Sequence, residues 1–181
     1  MKYIALLRGI NISGKNKISM SELKLELEKN KYQNVLTYLN SGNVIFDSDI
    51  EDKETIMKDI CKIIKNKFDF EIPVFIMTVF ELEDILNNKP SWWGTDNKEI
   101  YDNLIFIIPP AKYVDVYNTI GEVSKDIEQI EEYNNSIFWS FDLGNYRKAN
   151  WWVKTASTSI KDKITIRTAN TMRKLLEIGK R

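Results

Sequence analysis

The sequence predicts an α+β fold of two tandem ferredoxin-like halves, each with an antiparallel sheet. The order strand, helix, strand, strand, helix, strand, followed by one more helix, can be traced twice along the chain. A polar stretch containing Pro90 and Gly94 separates the two tracings. With 43% hydrophobic and 29% charged residues, the 181-residue chain has the composition of a globular protein with a sizeable core. The predicted boundaries are 1–88 for the first half, 89–101 for a linker and 102–181 for the second half.

The first half opens with a short apolar run that Gly9 ends, which is typical of a strand. Ser19 and Glu22 form a capping-box pattern, so a helix is expected to begin near Ser19. A Ser-Gly pair at 41–42 between two strand-like runs predicts a hairpin. The predicted elements are strand 2–8, helix 19–30, strands 35–40 and 44–47, helix 51–68, strand 73–78 and helix 78–88.

The second half repeats this order. A pair of asparagines at 134–135 marks its hairpin turn, and the last helix is expected to begin near Asn170 and Thr171. The predicted elements are strand 104–109, helix 111–125, strands 128–133 and 137–142, helix 150–157, strand 164–168 and helix 171–179. The two halves share no visible sequence identity, so the duplication is inferred from element order.

Composition narrows the classes of function. Lys plus Arg and Asp plus Glu both number 26, and this neutrality argues against a protein held by long nucleic acid, although it allows a local basic patch. The absence of histidine removes Ser-His-Asp triads, His metal sites and His general bases, so no cofactor or metal is predicted. Cys61 is the sole cysteine, and no apolar run reaches the length of a membrane span. We therefore expect a cytoplasmic protein with no membrane partner.

The most distinctive segment is Gly9–Asn16, which follows a predicted strand and precedes a helix. It nearly matches the phosphate loop G-x-x-x-x-G-K-[ST], in which backbone N–H groups hold phosphates and a hydroxyl binds magnesium. Asn16 replaces that hydroxyl, the helix is expected to start only at Ser19, and the predicted sheet is antiparallel. Two interpretations stay open: an anion-binding loop charged by Lys15, or a connecting loop with solvated lysines.

Two arginines lie at predicted strand ends. Arg8 ends the first strand with Asn11 close behind, and Arg167 ends the last strand shortly before Asn170. Arginine can bind a carboxylate or phosphate through two parallel hydrogen bonds, and a helix N-terminus adds N–H donors. The alternatives are a structural ion pair for Arg167 and a capping role for Asn170. Asn43 follows the hairpin turn, which by itself also explains an asparagine there.

Aromatic residues suggest a further surface. Aromatic rings over a ferredoxin-like sheet stack bases in RNA-recognition modules, but the RNP1 pattern is not matched here. Packing in the core is the alternative for the tryptophans. Tyr146, Arg147 and Lys148 precede Trp151 and form a candidate basic and aromatic patch. The five tryptophans are Trp92, Trp93, Trp139, Trp151 and Trp152.

Four segments together resemble a known bacterial family, the domain of unknown function 1697. They are LRGINISGKN at 7–16, ISMSEL at 18–23, TYLNSGNVIF at 37–46 and TIRTANTMRKL at 165–175. The family typically reads LRGINVGGKN, a short MxxL helix start, TYxxSGNVxF and TxRNxNTxxKL. The resemblance therefore reaches both ends of the chain.

Two positions depart from the family pattern, with Ser13 in place of Gly and Thr168 in place of Asn. The second departure puts a family-wide role for that position in doubt in this chain. The resemblance implies a ferredoxin-like α+β fold in tandem, and it implies no reaction. Its signature residues fall in polar loops, where binding sites tend to lie.

The function that these patterns favour is binding of an anionic ligand, phosphate-bearing or nucleotide-like, through the 8–17 loop. Arginine and lysine would supply charge and the asparagines would orient the ligand. The predicted ligand-binding residues are Arg8, Asn11, Lys15, Asn43, Arg167 and Asn170. The alternatives are an enzyme acting on a phosphorylated substrate, with Lys15 as its electrostatic catalyst, and a structural or protein-interaction module. Mutually satisfied side chains in the signature loops would favour the interaction module.

Overall fold

Eight strands and six helices follow one another in an order that occurs twice in the computed structural model, which describes all residues from 1 to 181. The elements are β1 (Lys2–Leu7), α1 (Met20–Lys29), β2 (Gln33–Tyr38), β3 (Asn43–Asp47), α2 (Lys53–Phe68), β4 (Val74–Thr78), α3 (Val79–Asn87), β5 (Ile100–Ile107), α4 (Tyr113–Ile120), β6 (Glu128–Tyr133), β7 (Ser136–Asp142), α5 (Asn150–Ser157), β8 (Ile164–Thr168) and α6 (Ala169–Gly179). Two short 3-10 helices, Tyr146–Lys148 and Ser159–Lys163, were not predicted.

The strands form two four-stranded sheets in which all neighbours are antiparallel. The first sheet has the order β2-β3-β1-β4 and the second has the order β6-β7-β5-β8. In each sheet the first strand in sequence lies between the third and the fourth. This arrangement confirms the predicted α+β class and the βαββαβ order of both halves.

The chain divides into two compact units. The first unit comprises Met1–Glu83 with Lys174–Arg181, and the second comprises Asp84–Arg173. The prediction instead assigned the whole last helix to the second half, whereas the division falls inside α3 and inside α6. The segment predicted as a linker, 89–101, belongs to the second unit and is anchored there. Trp93 in this segment is fully buried, and its indole N–H donates to the Asn103 carbonyl at 2.7 Å.

In the first unit, α1 and α2 bury one apolar face against the sheet. Both helices have an N-cap side chain, and the one at Ser19 was predicted. Ser19 accepts the Glu22 amide at 3.3 Å, and Asp52 accepts the Thr55 amide at 2.9 Å. Their inward residues include Leu23, Leu27, Ile56, Ile60 and Ile64, all buried.

In the second unit, α4 and α5 cover one face of the sheet. The core between them and the sheet consists of branched aliphatic and aromatic residues. The helix predicted at 111–125 is shorter, because Gly121, with a φ of 84°, ends it. The strand predicted at 104–109 begins earlier, at Ile100. None of the six helices is both long enough and apolar enough to span a membrane.

Candidate functional site

The loop that follows β1 is held at one end of the first sheet. The Leu7 amide donates to the Gly42 carbonyl at 2.8 Å, and the Arg8 amide donates to the Pro73 carbonyl at 2.9 Å. Because β1 lies between β3 and β4, its end adjoins the hairpin turn before β3 and the segment before β4. Arg8, Asn11 and Asn43 therefore belong to one end of this sheet.

The 9–17 segment forms a small hairpin of its own. The Lys15 amide donates to the Ile12 carbonyl at 2.9 Å, and the Asn11 amide donates to the Asn16 carbonyl at 3.2 Å. Ser13 and Gly14 have φ values of 49° and 77°, the positive angles that a two-residue type I′ turn requires. We call residues 9–17 the lysine hairpin, after Lys15 and Lys17. The phosphate-loop interpretation is not supported, because the chain turns back on itself instead of entering the helix directly.

Asn11 fastens the lysine hairpin to the rest of the unit. Its Nδ2 donates to the carbonyls of Ile18 at 3.0 Å and Asn40 at 2.8 Å, and its Oδ1 accepts the Ile18 amide at 2.9 Å. An asparagine amide has two donor hydrogens, so both are used within the protein. The structure gives Asn11 a role in loop anchoring in place of the predicted donation to a ligand. Asn16 acts in a similar way, donating to the Gly9 carbonyl at 3.0 Å.

Asn43 closes the neighbouring turn. The residue is buried, and its Nδ2 donates to the Tyr38 carbonyl at 2.8 Å and the Ser41 hydroxyl at 3.0 Å. Both amide hydrogens are again used, as with Asn11. Gly42 in this turn has a φ of 80°, and a Cβ there would lie 2.6 Å from the Leu7 Cβ. Any side chain at position 42 would therefore push the turn away from the end of β1.

The exposed part of the lysine hairpin carries positive charge. Lys15 and Lys17 are exposed and form no ion pair, and the first acidic residue of the chain is Glu22. The acidic residues that precede β4 are engaged elsewhere, since Lys65 contacts Asp69 at 2.8 Å and Glu71 at 3.9 Å. The backbone of the lysine hairpin is therefore held by side-chain hydrogen bonds, and its two lysine side chains are exposed to solvent.

The two remaining predicted residues, Arg167 and Asn170, lie in the second unit. Arg167 is buried, and its Nη1 donates to the Thr165 hydroxyl at 2.9 Å and the Ile166 carbonyl at 2.8 Å. Asn170 is exposed and accepts a 3.4 Å hydrogen bond from Arg173. Both residues therefore make hydrogen bonds to groups of the second unit.

The N-cap of α6 is Thr168. Its hydroxyl accepts the Thr171 amide at 3.3 Å, one residue before the helix begins at Ala169. The capping role considered above for Asn170 is therefore not observed. Asn and Thr are both good N-cap residues, because each offers a short side-chain oxygen. The departure from the family pattern at position 168 therefore retains a capping oxygen.

Reactive side chains are sparse elsewhere. Cys61 is half-buried, burial raises the pKa of its thiol, and its sulfur lies 3.4 Å from the Ile72 carbonyl. A thiol in this environment is a weak nucleophile. The structure contains no group of three or more acidic or cysteine side chains arranged to hold a metal ion.

The sequence analysis missed a buried carboxylate in the second unit. Glu128 accepts the Trp139 indole N–H at 3.2 Å, the Trp151 amide at 3.1 Å and the Ser124 amide at 2.9 Å. Its position was readable from strand alternation, because Glu128 shares a face with the inward Ile130. The carboxylate anchors the start of α5, where the helix dipole favours negative charge.

The fold and these loops define an α+β chain with two antiparallel four-stranded sheets and a lysine-bearing hairpin. The chain belongs to the family of proteins of unknown function DUF1697, whose model matches residues 1–138. It is similar in structure to the conserved bacterial protein SP0830 from Streptococcus pneumoniae, with a TM-score of 0.86 and 28% sequence identity. That similarity covers 98% of each chain. A search of curated proteins finds no match.

Proposed function

We propose that this chain is a binding protein that takes up an anionic ligand, phosphate-bearing or nucleotide-like, through the lysine hairpin. The observation that carries the proposal is the presence of Lys15 and Lys17, exposed and without ion pairs, on a backbone fixed by side-chain hydrogen bonds. The lysine ammonium group is a compact point charge with three donors, which suits phosphate oxygens.

Rigidity of the loop supports the proposal. Asn11 and Asn16 fasten the lysine hairpin from within, and Asn43 fastens the adjoining turn. A loop that is already ordered loses little conformational entropy when a ligand binds, so more of the interaction energy is retained as affinity. The asparagines thus contribute to binding by holding the backbone rather than by touching the ligand.

The local charge also supports an anionic ligand. No acidic residue lies between Met1 and Glu22, whereas the chain as a whole is neutral. An uncompensated cluster of cations raises the local concentration of anions and speeds their association.

A second candidate function is a protein-interaction module, and two observations favour it. Asn11 and Asn43, in the signature loops, use both of their amide hydrogens within the protein. Ile12, at the tip of the lysine hairpin, is 62% exposed, and an apolar side chain at the tip of a rigid loop suits contact with another protein. An enzyme acting on a phosphorylated substrate is less well supported. Asn16 offers no hydroxyl for magnesium, and its amide donates to Gly9.

We place this function in the cytoplasm of a bacterium. A lone, unpaired Cys61 suits a reducing compartment, and the structural relative is a bacterial protein. Fractionation of the cells that produce the protein would test the location. Recovery in a secreted or envelope fraction would contradict it.

Thermal unfolding with a panel of ligands tests the anion-binding proposal. The panel contains pyrophosphate, nucleotides, sugar phosphates and carboxylates, each with and without magnesium. A ligand at a hundredfold excess over its Kd stabilises the native state by about 2.7 kcal/mol, which gives a measurable rise in Tm. We expect at least one phosphate-bearing ligand to raise the Tm of the wild type.

Matched variants locate the effect. The rise in Tm should disappear in the double variant Lys15→Ala, Lys17→Ala and persist in Lys62→Ala, which removes an exposed lysine without an ion pair from α2. A rise that requires magnesium would favour the enzyme over the binding protein. No rise across the panel, or a rise unchanged in the double variant, would contradict the proposal.

A further inference from the structure

The second unit exposes a group of aromatic rings beside two cations. We propose that this group is a separate binding site for a nucleobase that carries a phosphate, either as a free nucleotide or within a short single strand. We call it the aromatic patch, and its members are Tyr101, Tyr146, Arg147, Lys148 and Trp152.

The fold builds the aromatic patch on a cross-strand row. Tyr101 on β5 and Glu128 on β6 both pair with Phe141 on β7, so the three side chains lie on one face of the sheet. Glu128 fixes the first turn of α5 by accepting the Trp151 amide, and the Trp151 indole N–H donates to the Gly121 carbonyl at 3.0 Å. Trp151 is buried by these contacts, and the next residue, Trp152, packs against Phe141 in the cross-strand row.

Phe141 supports the exposed rings from below. The centroid of its buried ring lies 5.4 Å from Tyr101 and 5.3 Å from Trp152. Tyr146 meets Trp152 edge-on, at 5.3 Å and 85°. Trp152 is nevertheless 41% exposed and Tyr101 is 37% exposed. Rings that are held by neighbouring rings and still partly exposed are preorganised for contact with a planar ligand.

The cations of the aromatic patch lack acidic partners. The Arg147 guanidinium carbon lies 5.6 Å from the centroid of the Tyr146 ring, and its Nε donates to the Tyr146 hydroxyl at 3.0 Å. Neither Arg147 nor Lys148 forms an ion pair, and both are exposed. Asp142, the nearest acidic residue along the chain, accepts the Gly144 amide at 2.7 Å and the Asn145 side chain at 2.8 Å.

This combination of groups identifies the class of ligand. Exposed aromatic rings stack on bases, and adjacent unpaired cations contact the backbone phosphates in proteins that bind single strands. A cationic ligand is disfavoured, because Arg147 occupies the neighbourhood of the Tyr146 ring. The neutral net charge of the chain limits the footprint to one or a few nucleotides.

Two probes test this site: AMP by calorimetry, and a fluorescein-labelled oligothymidylate of eight nucleotides by anisotropy, both at low salt. We expect Trp152→Ala to weaken binding by about tenfold or more, as loss of one stacked base predicts. The double variant Arg147→Ala, Lys148→Ala should weaken binding and flatten its dependence on salt. Comparable affinity for both probes would identify a free nucleotide as the ligand, whereas binding of the oligonucleotide alone would identify a single strand.

Controls separate this site from other effects. Phe80→Ala removes an exposed aromatic ring from α3, so it should bind the probes as the wild type does. Lys15→Ala with Lys17→Ala removes the charges of the lysine hairpin, so binding that remains in that double variant belongs to the aromatic patch, and the aromatic-patch substitutions are therefore also compared in that background. If Trp152→Ala alters the Tm, its weaker binding no longer reports on stacking alone. The binding measured for Tyr101→Ala and for the Arg147→Ala, Lys148→Ala double variant then tests the proposal. Failure of both probes to bind at about 1 mM would overturn the proposal. Binding as tight as that of the wild type in Trp152→Ala, in Tyr101→Ala and in the Arg147→Ala, Lys148→Ala double variant would overturn it as well.

Discussion

Glu128 links three segments of the second unit through its side chain. Its buried carboxylate accepts hydrogen bonds from Trp139, Trp151 and Ser124, which lie on three different segments of the chain. Without Glu128, the Trp139 indole N–H and the Trp151 amide would be left buried and unsatisfied, and each such group costs about 1–3 kcal/mol.

Replacing Glu128 should therefore be strongly destabilising. We expect Glu128→Ala to lower the free energy of unfolding in urea by about 2–4 kcal/mol, and Glu128→Gln to lower it by less, because one oxygen acceptor is retained. Glu131→Ala on the same strand is the matched control, since Glu131 is exposed. A Glu128→Ala variant no less stable than Glu131→Ala would contradict this account of the carboxylate.

Tyr32 makes a partly buried hydrogen bond to a carboxylate, and its contribution to the free energy of unfolding depends on pH. Its hydroxyl donates to the Asp59 carboxylate at 2.9 Å, and burial, followed by that hydrogen bond, raises the pKa of Tyr32 above its ordinary value. A raised tyrosine pKa means that the folded state holds the proton more tightly than the unfolded state does. The stability contributed by Tyr32 is thus fully present below about pH 10 and is lost as the pH rises towards the raised pKa.

Tyr32→Phe tests this dependence, because it retains the ring that packs against Phe46. We expect the variant to be less stable than the wild type by about 1 kcal/mol at pH 7, and the difference to shrink at pH 11. Urea unfolding at the two pH values measures both quantities. An equal difference at both values would show that folding does not raise the pKa of Tyr32.

At the scale of elements, Asn11 joins two loops that are far apart in sequence. Its amide spans from Ile18 to Asn40, a partner 29 residues away. We expect Asn11→Ala to speed hydrogen exchange of the Lys15 and Ile18 amides and to destabilise the unit by about 1–3 kcal/mol. Ser21→Ala, an exposed change nearby in α1, is the control. Unchanged exchange at both amides would show that the lysine hairpin is ordered without Asn11.

The elements themselves were largely predictable from sequence. Ser19 and Glu22 marked the start of α1, and alternation and turn residues fixed β6 and β8 at their observed bounds. The roles of the loop asparagines were not predictable. An asparagine in a signature loop has the same appearance whether it faces a ligand or a backbone carbonyl, and the partners of Asn11 and Asn43 depend on how two loops meet at a sheet end.

At the scale of the whole molecule, the repeated element order predicted the two antiparallel sheets correctly, and the compact units have other limits than the predicted halves. Residues 174–181 group with the first unit, although they follow the last strand of the second. Helix periodicity reports which positions are buried, and it does not report which core buries them. Trp93 illustrates the same limit, since a polar segment predicted as a linker contains a fully buried ring.

The central claim, that the lysine hairpin binds a phosphate-bearing anion, is tested most directly by a two-dimensional ¹H–¹⁵N NMR titration with pyrophosphate. The account predicts saturable chemical-shift changes centred on the amides of Ser13, Gly14, Lys15 and Lys17. These changes should vanish in the double variant Lys15→Ala, Lys17→Ala and persist in Lys62→Ala. An unchanged spectrum, or saturable changes confined to residues outside 8–17, would contradict the claim.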